Sequence, residues 1–172
     1  MMLPLIGHTN KVNSIEAIES YEKIFSCSDD CTLRQWSIDL EKGLGINERI
    51  FKFDDPVLIS KLHLEKNMLF TSCWDKQIRA ILLDSGEVDK TWIAAKQPVK
   101  TIHVHENIIF TSGMDPVIRS FNLDTGEVKQ YEGHTSWVLC MTTYVTHDEN
   151  GKVKTNWLLS GSDDTTIRIW DI

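Results

Sequence analysis

The sequence predicts an all-β fold made of four consecutive antiparallel units, and three observations carry that reading. The first is internal repetition. The C-terminal stretch SGSDDTTIRIWDI recurs as SCSDDCTLRQWSI from Ser26, TSCWDKQIRAILL from Thr71 and TSGMDPVIRSFNL from Thr111. Each copy opens on Ser or Thr, places Asp four positions later, and follows that Asp after three positions with Leu-Arg or Ile-Arg; the arginines, Arg34, Arg79, Arg119 and Arg168, are spaced 45, 40 and 49 residues apart. The second is an independent match at one of those offsets, DSGEV at 84–88 and DTGEV at 124–128. The third is the absence of any long run with helical period, while short β-prone runs joined by tight turns recur along the chain.

The second unit shows the local signals most clearly. Val57–Leu64 reads as a strand, Met68–Cys73 as the next, Trp74-Asp75-Lys76 as a tight turn, Gln77–Leu83 as a third strand and Val88–Ala94 as a fourth. Four strands in about 40 to 45 residues is the span of a propeller blade. The units are expected at 7–52, 53–94, 95–132 and 133–172 within one domain. Gly43-Leu44-Gly45 and the polar stretch His147–Asn156 read as loops inside units. By register, Ile167–Ile172 is the third strand of the last unit and lacks a fourth after it. Residues 2–6, just before Gly7-His8, are expected to supply that closing outer strand, and Pro4, with no N–H to donate, suits an edge.

GHT at 7–9 and 133–135, with SGSDDTTIRIWD at 160–171, resembles the WD-repeat family of β-propellers, and the similarity covers nearly the whole chain. The resemblance implies a β-propeller built from four antiparallel four-stranded WD-type blades, as a ring of its own, a part of a larger ring or half of an eight-bladed dimer. It also implies structural tetrads at His8, Ser26, Asp30 and Trp36 and at His134, Ser160, Asp164 and Trp170. The middle repeats keep Thr71 with Asp75 and Thr111 with Asp115, but Ile81 and Phe121 replace Trp, and Phe53 and Ala95 stand at the His position. A buried polar network stabilises only when every member is satisfied, so His and Trp are expected to disappear together. The retained Asp is expected to cap its turn through backbone N–H groups.

Composition narrows the function classes. A formal charge of -7 and a pI near 5.3 exclude the basic face that nucleic acid needs. No apolar run approaches the roughly 20 residues of a membrane span, and no basic n-region precedes an apolar one. Cys27, Cys31, Cys73 and Cys140 follow no CxxC pattern and read as reduced thiols of a cytoplasmic protein. Ser, His and Asp together evoke a hydrolase triad, but the set occurs twice at equivalent positions and ends on Trp, which makes it structural. The pairs Asp29-Asp30 and Asp163-Asp164 lie at hairpin turns, and Asp54-Asp55 precedes Pro56. His103 and His105 share one face of a strand without a third ligand, so solvated histidines are expected and no metal site. No cofactor motif is present.

In this family the turn between the second and third strands and the start of the first strand share one face. That face is expected to carry Asp29, Trp74, Met114 and Asp163, together with Lys11, Asn13, Lys100 and Trp137. Exposed Trp is enriched at interaction hot spots. The reading is therefore a non-catalytic scaffold that binds protein partners or peptides on this face, with self-association available to complete a ring. A substrate-recognition subunit of a ubiquitin ligase is the first alternative, and a hydrolase with a central-channel site the second. Val57, Ile59, Val99, Ile102 and Val138 make the first strands apolar, which speaks against the hydrolase.

Overall fold

The structure, a computed structural model, describes residues 4–18, 23–39, 41–42 and 44–172. Among these residues the fold is β apart from one 3-10 turn at Leu64–Lys66. Sheet 1 consists of β1 (Val12–Ile18), β2 (Lys23–Ser28), β3 (Thr32–Asp39) and β4 (Leu44–Lys52). Sheet 2 consists of β5 (Val57–His63), β6 (Met68–Cys73), β7 (Gln77–Leu82) and β8 (Val88–Ile93). Sheet 3 holds β9 (Val99–His105), β10 (Ile108–Gly113), β11 (Ile118–Asn122) and β12 (Val128–Tyr131), and sheet 4 holds β13 (Val138–His147), β14 (Val153–Ser162) and β15 (Ile167–Asp171). Every sheet is an antiparallel meander in chain order.

The chain divides into two compact units, residues 1–93 and 94–172. Each has its own core, because a sheet with one apolar side must cover it with another sheet. In the first unit Phe25, Cys27 and Leu33 of sheet 1 are buried against Val57, Leu69, Cys73 and Ile81 of sheet 2. In the second, Phe110 and Ile118 of sheet 3 are buried with Val138 and Leu158 of sheet 4, and Tyr131 and Trp170, edge to face with each other at 5.9 Å, pack on them. Burial of the two thiols in the first core pushes both Cys27 and Cys73 up to about 12, so neither ionises near neutral pH.

Two sequence expectations are corrected. Leu44 and Gly45 are not loop but the start of β4, and Gly43 lies outside the described residues. Gly45 marks a close approach: a Cβ there would fall 1.7 Å from Leu5 Cδ2, so any larger residue would make the Leu5 side chain shift. His147–Asn156 is likewise not one long loop. β13 runs on to His147 and β14 begins at Val153, leaving five turn residues. Asp148 closes that turn by accepting from Asn150 N and Lys152 N, both at 2.9 Å, and Gly151 takes the left-handed conformation at φ +76°. The β-branched Thr146 and Thr155 bond across the ribbon at 2.5 Å, and Tyr144 stacks on Trp157 at 6.1 Å. Of the expected closing strand 2–6, Met2 and Leu3 lie outside the described residues.

Candidate functional site

In sheet 1 four side chains from four places in the chain meet in one line. The Trp36 indole N–H donates to Ser26 Oγ at 2.8 Å, and Ser26 Oγ lies 2.7 Å from His8 Nε2. His8 Nδ1 lies 2.8 Å from Asp30 Oδ2. Because a carboxylate only accepts, Nδ1 carries the proton and Nε2 accepts from the serine hydroxyl, so each donor in the line finds an acceptor. Asp30 also accepts from Thr9 N, Thr32 N and Thr32 Oγ1 at 3.0, 3.0 and 2.6 Å. Sheet 4 repeats the arrangement with Trp170, Ser160, His134 and Asp164 at 2.8, 2.8 and 2.7 Å along the line. Gly133 stands where a Cβ would meet Arg168 Nη1 at 2.7 Å, and Gly7 where one would meet Arg34 Nη1 at 2.5 Å. The GH pair thus lets arginine lie flat against the backbone beside the indole.

These bonds hold both carboxyls well below the ordinary carboxylate range. At Asp30 desolvation pushes the other way but is outweighed by the Thr32 hydroxyl, the Thr9 N–H and His8; at Asp164 the Thr166 hydroxyl leads, with Thr135 N–H and His134. The serine is engaged by the indole on one side and the imidazole on the other. Such a serine is a link in a buried network and not a nucleophile open to a substrate.

Sheets 2 and 3 solve the same turn differently. Asp75 caps its turn by accepting from Gln77 N at 3.0 Å and Asp115 does so from Val117 N at 3.2 Å. The missing histidine is replaced by arginine from the third strand. Arg79 pairs with Asp75 and lies 5.4 Å above the Phe53 ring, and Arg119 pairs with Asp115 at 3.0 Å. Thr71 and Thr111 do not join these aspartates. Their hydroxyls bond to the carbonyls of Ile59 and Arg119 at 3.1 and 3.5 Å. The sequence reading used the arginine column only as a repeat marker and missed this role. Its signal was present, an arginine four residues after every turn Asp.

At the other end of that turn one backbone bond recurs in all four sheets. Asp29, Trp74, Met114 and Asp163 donate their N–H to the carbonyls of Lys11, Pro56, Pro98 and Trp137 at 2.9, 3.1, 3.1 and 2.9 Å. Just beyond it every first strand carries a bulge. The pairings Val12↔Ser28 then Ser14↔Cys27, and their counterparts in the other sheets, leave Asn13, Leu58, Lys100 and Leu139 outside the ladder. The predicted contact residues therefore lie on a rigid frame in each sheet. Asn13 donates to Asp29 Oδ1 at 2.7 Å and to Val57 O at 2.9 Å, so this pair spends its polar groups within the protein. Lys100 Nζ sits 5.7 Å over the Trp137 ring. Trp74 and Trp137 are exposed, Met114 half-buried, and Lys11, Lys100 and Asp163 exposed.

Comparison with known proteins bears on the family. A model of the WD domain, G-beta repeat, matches residues 2–37 and 126–171, the two stretches that hold the complete tetrads. The chain carries WD repeats over these two stretches and resembles the WD-repeat family in its fold throughout. It is 42% identical over 43 residues to the nuclear distribution protein PAC1 of Candida tropicalis, a match covering 25% of this chain and 7% of that protein. Among solved structures it is similar to the WD40 β-propeller domain of Doa1, with a TM-score of 0.79, 20% identity and coverage of 97% of this chain and 53% of that one. It is also similar to U3-55K, with a TM-score of 0.80, 17% identity and coverage of 98% and 51%. The computationally designed Ika4 protein superposes with a TM-score of 0.77 at 18% identity, covering 100% of this chain and 98% of that one. The chain thus spans about half the length of the Doa1 and U3-55K chains. WD-repeat propellers commonly serve as protein-interaction scaffolds, and the sheets described above are their blades.

The remaining candidates fall into place within the WD-repeat blades. His103 Nε2 and His105 Nδ1 lie 3.2 and 3.4 Å from one hydroxyl, Thr143 Oγ1, so these rings pack against β13 and are half-buried, not freely solvated. The described residues contain no group of three or more side chains arranged to hold a metal ion. No helix among them is long and apolar enough to cross a membrane. Cys31 occupies a left-handed turn position at φ 63°, as do Lys76 and Thr165 at 68° and 69°. Pro116 stands at the same place in blade 3, where its ring excludes that conformation and the turn takes another form.

Proposed function

We propose that this protein is a non-catalytic cytoplasmic scaffold that holds protein partners or peptides where, in each unit, the turns between second and third strands meet the starts of the first strands. The observation that carries the reading is the pair of exposed tryptophans, Trp74 and Trp137, each fixed by the recurring turn-to-strand backbone bond. A large apolar ring left in water on a rigid frame suits recognition, where aromatic anchors supply most of the binding energy. Lys100 stacked on Trp137 adds a positive rim to one anchor, favouring a partner that brings a carboxylate. Acidic character elsewhere, a net -7, argues against nucleic acid and anionic membrane as partners. The buried, bonded serines argue against hydrolysis. The same reading includes association with a second copy of the chain.

Affinity capture from cell extract with quantitative mass spectrometry tests the proposal, comparing the wild type with Trp74→Ala and Trp137→Ala. A set of proteins lost from both variants, with unfolding curves unchanged, is the expected result. An unchanged set would remove the tryptophan face as the binding site. Enrichment of cullin-type components would specify the ligase role instead.

A further inference from the structure

Each sheet has two sides, one bearing the tetrad serine or threonine and the other bearing Phe25, Phe70, Phe110 or Leu159 in register. In both compact units the Phe side of one sheet is covered by the Ser side of the next. Two sides carry large apolar residues that are exposed. On the Phe side of sheet 4, Ile167 is 77% exposed, whereas its equivalents Leu33, Ile78 and Ile118 are at most 1% exposed. On the Ser side of sheet 1, Val12 is 43% exposed, whereas Val57, Val99 and Val138 are 0%. Ile15, also on that side, is 62% exposed, while its counterpart Ser60 is 0%. These positions keep the residue types of an interior and lack only what covers them.

Resting on the self-association in the functional reading, we infer that the Ser side of sheet 1 in one molecule docks on the Phe side of sheet 4 in a second copy, and reciprocally. The first unit supplies the template. There Cys27 and Leu33 of sheet 1 pack with Val57 of sheet 2, and Ser60 of sheet 2 and Ser14 of sheet 1 lie beside the Cys27 thiol. In register Ser60 corresponds to Ile15, Ser14 to Cys140 and Cys27 to Gly161. Ile15 therefore faces Cys140 and Gly161, and the structure has a hollow of about 260 Å³ there, lined by Cys140, Leu159, Gly161 and Ile167 among others. Cys140, Leu159, Ile167 and Ile169 carry no charge, in a chain that is 25% charged. The chain spans about half of the Doa1 and U3-55K chains, so two copies supply blades equal to one such domain. A head-to-tail contact that closes after two copies buries both sides twice and leaves neither free to propagate.

Sedimentation velocity of the full chain at tens of micromolar is expected to show twice the 19.8 kDa chain mass. Ile15→Asp and Ile167→Asp, at exposed positions of the single copy, are each expected to raise the dimer dissociation constant at least about tenfold, since a carboxylate would enter an apolar interface. Mixing the two variants restores one wild-type interface and part of the dimer. A wild-type monomer at all concentrations overturns the proposal. So does dimerisation that survives Ile15→Asp but not Ile167→Asp, which would mean like sides pairing. If either variant unfolds by circular dichroism, Ile15→Cys gives an independent readout through oxidation with Cys140. A band at twice the chain mass on a non-reducing gel is expected, and a link confined to one chain overturns the proposal. Neither measurement involves the tryptophan face, so failure here and failure of partner capture are separate results.

Discussion

In blades 1 and 4 the turn aspartate is held by a histidine, a threonine hydroxyl and backbone N–H groups; in blades 2 and 3 an arginine from the third strand takes it. The difference shows which part of the motif the fold requires. The aspartate that caps the turn between the second and third strands is present in all four blades, whereas the His–Ser–Trp line is present in two. The line stabilises as a unit, and once Trp becomes Ile81 or Phe121 the serine and imidazole would be left half-satisfied in the interior. Arginine can replace histidine because it stands on the strand already, and without the flat GH backbone beside it the guanidinium turns to the carboxylate.

Substitutions that separate the two solutions sharpen the comparison. The largest effect is expected from His134→Ala, whose ring is fully buried and whose loss strands Ser160 and Asp164. About 3 kcal/mol of destabilisation is expected in urea unfolding, from the cavity and the unpaired groups together. Next come the arginines. Arg79→Leu removes the counter-charge of a half-buried Asp75 and is expected to destabilise by about 1–2 kcal/mol, discounted from the buried-pair range for its solvent contact. Arg34→Leu is expected to cost about 0.5 kcal/mol, because Asp30 keeps His8, Thr9 and Thr32, and what is lost is the stack on Trp36 and a long bond from Arg34 Nε to Thr32 Oγ1 at 3.3 Å. Equal losses at Arg34 and Arg79 would break the distinction between the two kinds of blade.

Acid provides the third comparison. Asp30 and Asp164 are depressed in the folded protein, so their contribution is fully present above the unfolded carboxyl value near pH 4 and declines as pH falls below it. Denaturant midpoints measured from pH 6 to pH 2.5 are expected to fall in the acid limb. In Asp30→Asn with Asp164→Asn that fall is expected to be shallower, from a lower starting stability. An unchanged slope would mean that other carboxyls set the acid limit. The smallest effect belongs to the turns. Lys76→Gly relieves a left-handed residue and is expected to stabilise by about 0.5 kcal/mol, net of the flexibility glycine adds to the unfolded chain. Pro116→Gly, where no such strain exists, is expected to destabilise.

The strands of blade 2 were legible almost to the residue, because Val, Ile and Phe alternate between turn signals and the period of two is unambiguous there. The tetrad residues were legible only through the resemblance of GHT and SGSDDTTIRIWD to the WD-repeat motif, which places them position by position. Other features depend on contacts that one strand does not encode. Gly43-Leu44-Gly45 has loop composition, yet Leu44 and Gly45 pair in β4, where Leu5 from a distant part of the chain lies against the glycine. The polar letters of His147–Asn156 hid a ribbon, since Thr146 pairs with Thr155 only once the register is known. His103 and His105 read as solvated because Thr143, their shared partner, lies 40 and 38 residues away. The arginine switch was visible as spacing, but its direction follows from what histidine and tryptophan leave vacant.

The bulges of the first strands have a consequence for how such a protein changes over time. Asn13, Leu58, Lys100 and Leu139 sit outside the ladder of cross-strand pairs, and the four are an amide, two aliphatics and an ammonium. The backbone ladder does not fix the residue type at these positions, although Asn13 bonds to Asp29 and Val57, while their neighbours Val12, Val57, Val99 and Val138 are the same residue every time. Folding and recognition are thereby written on adjacent letters. One can drift, blade by blade, toward a new partner while the other keeps the strand in place.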